Sequence, residues 1–150
     1  MSQLTEHESF ACLESWGNCV QARDRKAVLQ HYAQGSTLWP TLSNVLRKRR
    51  NPQFEENFGP NHIEDYFVNF LAKIDGVGPV EWNTKCAQVV ADDSVMWSGI
   101  YTFHLKQGKV RARYSYLVKK MEEGGWKIMH HHSSQMPEAY DPWGVEDAES

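Results

Sequence analysis

The sequence predicts an α+β domain in which three N-terminal helices pack on an antiparallel sheet, and three observations lead there. Up to Ile74 the apolar residues recur at helical spacing, whereas from Pro79 onward they alternate, so the chain changes period once, near its middle. The alternating half is punctuated by Asp92-Asp93-Ser94, Gln107-Gly108 and Glu122-Glu123-Gly124-Gly125, turn chemistry that joins neighbouring strands as hairpins. Several of the strands are apolar or aromatic on both faces, which requires cover on both sides of the sheet. The helices supply one cover, and a second subunit is the simplest other.

Taken in order, Thr5-x-x-Glu8 reads as a capping box opening a first helix, with Leu13, Trp16 and Val20 on one stripe and Cys12 and Cys19 beside it. Asp24 caps a second helix carrying Val28, Leu29 and Tyr32, which Ala33-Gln34-Gly35-Ser36 ends before a short strand, Thr37-Leu38-Trp39-Pro40. Residues 45–60 form a long loop with Arg47, Lys48, Arg49 and Arg50, broken by Pro52 and Gly59-Pro60. Such a charge run is ordinarily a solvated face, and its functional alternative is a lid over an anionic substrate. Asn61 with Glu64 opens the third helix, in which Ile63, Tyr66, Phe67, Phe70, Leu71 and Ile74 keep the helical interval throughout. Strands follow from Val80 to Ala91, then with Val95, Trp97, Gly99, Tyr101 and Phe103 on one face, and then with Arg111, Arg113, Ser115 and Leu117 opposite Val110, Ala112, Tyr114, Tyr116 and Val118. Residues 1–137 are read as one domain and 138–150 as an acidic tail.

Composition narrows the function classes. With 150 residues, 41% hydrophobic and 12% aromatic, the chain has ample core material and needs no staples. Three cysteines without a CxxC spacing argue for reduced thiols in a cytoplasmic setting rather than a disulfide frame or a zinc knuckle. The start carries neither a basic region nor an apolar leader, and no run approaches a membrane span. A formal charge of -3 offers no electrostatic footprint for nucleic acid.

The chemistry-bearing stretch is the last strand, Trp126 to Ser134, where three histidines and two serines follow an apolar start. Strand alternation puts His131 and Ser133 on one face with Met129, and His130, His132 and Ser134 on the other with Trp126 and Ile128. Neighbouring histidines therefore serve different faces. His130-x-His132 offers two metal ligands, but no motif supplies the third that a catalytic zinc ordinarily takes, so the reading is metal-free and without a cofactor. Tyr66 is the helix-stripe residue with a hydroxyl to satisfy, and hydrogen bonding to backbone inside a core is its plain alternative.

The element order, together with Gly125-Trp126-Lys127-Ile128 and His130-His131-His132-Ser133-Ser134-Gln135-Met136-Pro137-Glu138, resembles the calcium/calmodulin-dependent kinase II association-domain group of the nuclear-transport-factor-2-like superfold. Leu38-Trp39-Pro40-Thr41-Leu42-Ser43 and Ile63-Glu64-Asp65-Tyr66-Phe67 are similar to the branch that contains the iota-class carbonic anhydrases. The resemblance implies a cone, with a strongly curved sheet wrapped on the third helix, and a pocket lined by a threonine, a tyrosine and a histidine-x-serine pair. Those positions fall on Thr41, Tyr66, His131 and Ser133. It further implies a pocket arginine that binds carboxylates, which would place Arg113 and Ser115 inward with Tyr101 to hold substrate. The implied activity is reversible hydration of carbon dioxide to bicarbonate in a homodimer, with His131 as general base. Ion pairing with a buried carboxylate is the alternative for Arg113. A non-catalytic ligand-binding or oligomerisation module is the alternative for the whole, and an isomerase of the same superfold is disfavoured because the pocket-facing strand positions carry no carboxylate.

Overall fold

The computed structural model describes residues 2–40 and 60–136. Helix α1 spans Ser2–Gln21, α2 Arg25–Gln30 and α3 Pro60–Lys73; the strands are β1 Tyr32–Trp39, β2 Glu81–Ala91, β3 Ser94–Leu105, β4 Gly108–Lys120 and β5 Trp126–Gln135. The helical stripes are buried as their spacing requires. Leu13, Trp16 and Val20 of α1, joined by Phe10, meet Ile63, Tyr66, Phe67, Phe70 and Leu71 of α3 in one core. Asp24 caps α2 by accepting a hydrogen bond from Ala27 N at 3.2 Å. Helix α1 begins a turn before Thr5, so Thr5 and Glu8 lie inside it and the expected capping box is not its start. Likewise α3 begins at Pro60, where a proline costs no hydrogen bond, rather than after Asn61.

The five strands form one sheet in the order β1-β5-β4-β3-β2. Here the expectation of a strongly curved cone is corrected. The sheet is open: β1 and β2 are its two edges and do not pair with each other, while the helices lie across one face. An α+β fold of helices on a sheet stands; a closed or strongly curved wrap does not. The meander β2 to β5 is antiparallel as the hairpin turns require, but β1 joins β5 in parallel, pairing Leu38 with His131 and Trp39 with His132. Strand β1 also begins at Tyr32, so Ala33 to Ser36 belong to a strand rather than to a helix end.

Irregular registers matter more than strand lengths. Between Leu117/Val118 of β4 and His130/Ile128 of β5 the pairing skips Met129, a β-bulge. One extra residue reverses the alternation, so Ile128 and His131 point to the same enclosed face and the expected companion Met129 does not. A second irregularity lies opposite, in β1 between Tyr32 and Thr37. At Gly99 a β-carbon would stand 2.1 Å from Thr84 O, and the missing side chain lets the Tyr114 hydroxyl cross β3 to donate to that carbonyl at 2.8 Å.

Helix α1 is pinned to the sheet by polar contacts as well as by its stripe. Buried Ser9 accepts from Trp97 Nε1 at 2.8 Å and donates to Glu6 O at 3.0 Å. Cys12 donates to Trp126 O at 3.4 Å, and burial pushes its thiol up to about 12. Cys12, Cys19 and Cys86 are free thiols. No helix among the described residues is long and apolar enough to cross a membrane.

Candidate functional site

The enclosed face of the sheet gathers one imidazole among aromatic rings. His131 is 3% exposed on β5 and pairs directly across the ladder with Tyr116 of β4. That register stacks the two rings with centroids 3.9 Å apart and planes 15° apart. Trp16 of α1 meets the same imidazole edge-on at 5.5 Å. Both ring nitrogens are engaged: Tyr32 Oη lies 2.9 Å from Nδ1 and Tyr101 Oη 2.9 Å from Nε2. A neutral imidazole donates from one nitrogen and accepts at the other, so one phenol oxygen accepts a hydrogen bond from the ring and the other phenol O–H donates one to it. Tyr116 Oη and Trp16 Nε1, on rings that touch His131, are buried without a hydrogen-bond partner among the described residues.

Beside this cluster is a small cavity lined by Trp16, Leu38, Pro40, Tyr66, Phe67, Phe70, Tyr101, Phe103 and His131. About 10 Å³ of it is open to the centre of a water molecule, close to the roughly 10–15 Å³ that one water needs. Its lining is aromatic and aliphatic apart from the two phenols, the imidazole and the indole N–H, and carries no carboxylate among the described residues.

Burial comes first, and the neighbouring imidazoles His130 and His132 second, in holding His131 well below the ordinary histidine range. Burial also raises the Tyr32 and Tyr116 phenols well above theirs, so the cluster is uncharged at neutral pH. The sign of the linkage follows. An unfolded chain protonates this histidine near pH 6.5, whereas the folded chain resists until far lower, so the unfolded state binds more protons in between. The stability that His131 contributes is therefore complete above about pH 6.5 and is lost as pH falls, at up to ~1.4 kcal/mol per pH unit. Urea unfolding of the wild type between pH 5 and 6.5 should show a steeper loss than His131→Gln by about one proton; equal slopes would contradict the buried neutral imidazole.

The sequence-predicted residues divide. His131, Tyr66 and Tyr101 meet at the cavity, and Ser133 is buried on the same face, two residues beyond His131. Thr41 lies outside the described residues, as do the basic loop before Pro60 and the tail after Met136. Arg113 and Ser115 correct the expectation of an inward face. On β4 the buried residues are Ala112, Tyr114, Tyr116 and Val118, and Arg113 is exposed on the opposite side. The bulky apolar set of that strand takes the core, and a guanidinium cannot displace it without losing hydration. His130 and His132 leave on that outer side too. His130 Nδ1 lies 2.7 Å from Thr37 Oγ1, and burial lowers its imidazole. Among the described residues no group of three or more His, Cys, Asp or Glu side chains could hold a metal ion. Tyr32 and Tyr116 were missed as partners of His131. The alternation had placed Tyr116 on a covered face, but nothing local tied Tyr32 to a strand.

With this geometry in view, comparison with known proteins is informative. Residues 5–137 match the model of the calcium/calmodulin dependent protein kinase II association domain. The chain belongs to that family. A solved structure named for this association domain, from Xanthomonas campestris, is 33% identical, with 85% of each chain covered and a TM-score of 0.68. An NTF2-like protein of unknown function from Pseudomonas putida is 16% identical over 89% of this chain and 88% of its own, with a TM-score of 0.68. A ketosteroid isomerase-like protein from Erwinia carotovora atroseptica is 12% identical over 87% of this chain and 95% of its own, with a TM-score of 0.66. At those lower identities the likeness shows the shared fold alone. No curated protein matches. Within the association domain described here, then, the sheet's helix-covered face holds the candidate site and its other face the exposed histidine.

Proposed function

We propose that this association domain is a binding module for a molecule no larger than carbon dioxide or bicarbonate, held in the cavity at His131, and that it assembles through the outer face of its sheet. The observation that carries the reading is a water-sized aromatic cavity whose polar tips are Tyr66, Tyr101 and a neutral His131. Trp16, whose buried indole N–H belongs to the cavity lining, is placed to donate to an oxygen-bearing guest. A steroid-sized substrate finds no room among the described residues, and no described lining carboxylate serves an isomerase.

The second reading is catalytic. The same neutral imidazole beside a space for one water supplies two parts of metal-free carbon dioxide hydration, the proton acceptor and the water. In that reaction a water O–H bond breaks and its proton goes to His131. The water oxygen bonds to carbon, one C=O π pair moves onto oxygen, and Tyr66 donates to that oxygen as bicarbonate forms. His131 then releases the proton to solvent. Ser133, buried on the same face, orients the water in this scheme; Arg113 and Ser115 have no part in it. Burial keeps His131 ready to accept but also disfavours the imidazolium, so turnover falls below that of a zinc-bound hydroxide. A hydration assay on chelator-treated protein, with metal content determined on the same sample, tests it. Activity without metal supports the enzyme; saturable bicarbonate binding without turnover supports the module alone.

Assembly is proposed from the outer face, where Trp39 beside His132 and Leu117 beside His130 present a partly apolar surface that no helix among the described residues covers. Light scattering at micromolar concentration should give a dimer. His130→Ala and His132→Ala together should weaken it while leaving His131 enclosed. A wild-type monomer would remove this part of the proposal.

A further inference from the structure

We infer that Tyr32 is the positioning residue of the site: its hydroxyl oxygen accepts the Nδ1–H of His131, which leaves the Nε2 lone pair turned toward the cavity. The inference rests on the proposed role of His131 as a proton acceptor and names the group that makes it one. His131, Tyr101 and Tyr66 line the cavity, whereas Tyr32 does not. The two phenols bonded to the imidazole are thus not equivalent. Tyr101 meets Nε2 on the cavity side, and Tyr32 meets Nδ1 behind the ring, each at 2.9 Å. Which nitrogen of a neutral histidine accepts is set by the bond that the other one makes. A base needs that outer partner, as it does where a carboxylate orients a catalytic histidine. No carboxylate is bonded to His131 among the described residues, and Tyr32 stands in the corresponding place.

The fold holds this pair by its two irregularities. The bulge at Met129 turns His131 inward, and the break in the β1 register between Tyr32 and Thr37 sets Tyr32 at the level of Ile128 instead of in the regular ladder. Tyr32 then lies nearly parallel to the imidazole, at 6.2 Å and 25°, with Phe67 of α3 at 5.9 Å on its flank. Tyr116 closes the other face of His131. The imidazole can neither turn over nor slide without breaking one phenol bond. On entry, a cavity water has to replace only Tyr101 at Nε2; the Tyr32 bond stays.

Long-range proton–nitrogen NMR on protein labelled at histidine nitrogens reads the tautomer directly. The wild type at pH 7 should show His131 as Nδ1–H alone. Tyr32→Phe should shift it to Nε2–H, donating to Tyr101, and should lower kcat for hydration by roughly 10-fold or more with KM little changed, since Tyr32 does not touch substrate. Tyr101→Phe should keep the Nδ1–H form. If Tyr32→Phe does not fold, 3-fluorotyrosine at position 32, a weaker acceptor of the same shape, should move the Nδ1 resonance in folded protein. An Nε2–H tautomer in the wild type, an unchanged tautomer in Tyr32→Phe, or an unmoved resonance with fluorotyrosine overturns the inference. A wild type that hydrates no carbon dioxide rejects the catalytic reading separately, and the tautomer still decides the role of Tyr32.

Discussion

On the catalytic reading, His131→Ala should lower carbon dioxide hydration by about 10²-fold or more, the contribution of a positioned general base. The same change leaves the phenols of Tyr32 and Tyr101 without their bonds to the ring. Losing those two buried bonds lowers stability, and the Tyr116 stack is lost as well. Activity must therefore be expressed per folded molecule, with unfolding by urea followed on the same sample. His131→Gln separates the two effects, because an amide can still pair with one phenol but cannot take a proton at neutral pH. It should fold better than His131→Ala and be as inactive. Tyr66→Phe and Ser133→Ala should cost less, each removing one hydroxyl. Full activity in His131→Gln would show that this imidazole is not the base.

The largest expected loss of stability belongs to Trp16→Ala, at about 3–5 kcal/mol. Trp16 is 1% exposed, and its indole is surrounded by Phe67 of α3, by Trp82, Tyr101, Phe103 and Tyr116 from three strands, and by His131. It is the side chain through which α1, α3 and the sheet meet at the cavity. The interior cannot collapse around so large a deletion when its neighbours are rings held by other rings. The denaturant midpoint should fall accordingly, with small-anion binding lost together with the cavity wall. Val90→Ala, at a position 62% exposed on the edge strand β2, should change stability by no more than about 0.5 kcal/mol. Comparable shifts for the two variants would mean that the ring cluster does not organise the core.

What was legible in the sequence is what local periodicity encodes. The interval from Ile63 to Ile74 determined a helix and its buried face, because the 3.6-residue repeat is complete within one segment. The alternation through Val95 to Phe103 and Val110 to Val118 determined two strands and grouped Tyr101 with Trp97 and Phe103, and Tyr114 with Tyr116, but it did not choose which face of β4 turns inward. His131 and Ser133 were correctly put on the enclosed face, but with the wrong companion, since the phase counted from Met129 is reversed at the bulge. A bulge is decided by what the neighbouring strand offers at Leu117 and Val118, and no local pattern reports it. Arg113 shows the same limit: either face of a strand aromatic on one side and half-polar on the other could be drawn inward until the helices chose one. Whether the sheet curls into a cone or stays open depends on edge pairings, and the parallel docking of β1 on β5 joins segments far apart in the chain. The bond from Tyr32 to His131 spans 99 positions, so the orientation of the candidate base was settled only by tertiary structure, through a contact for which the chain carries no nearby signal.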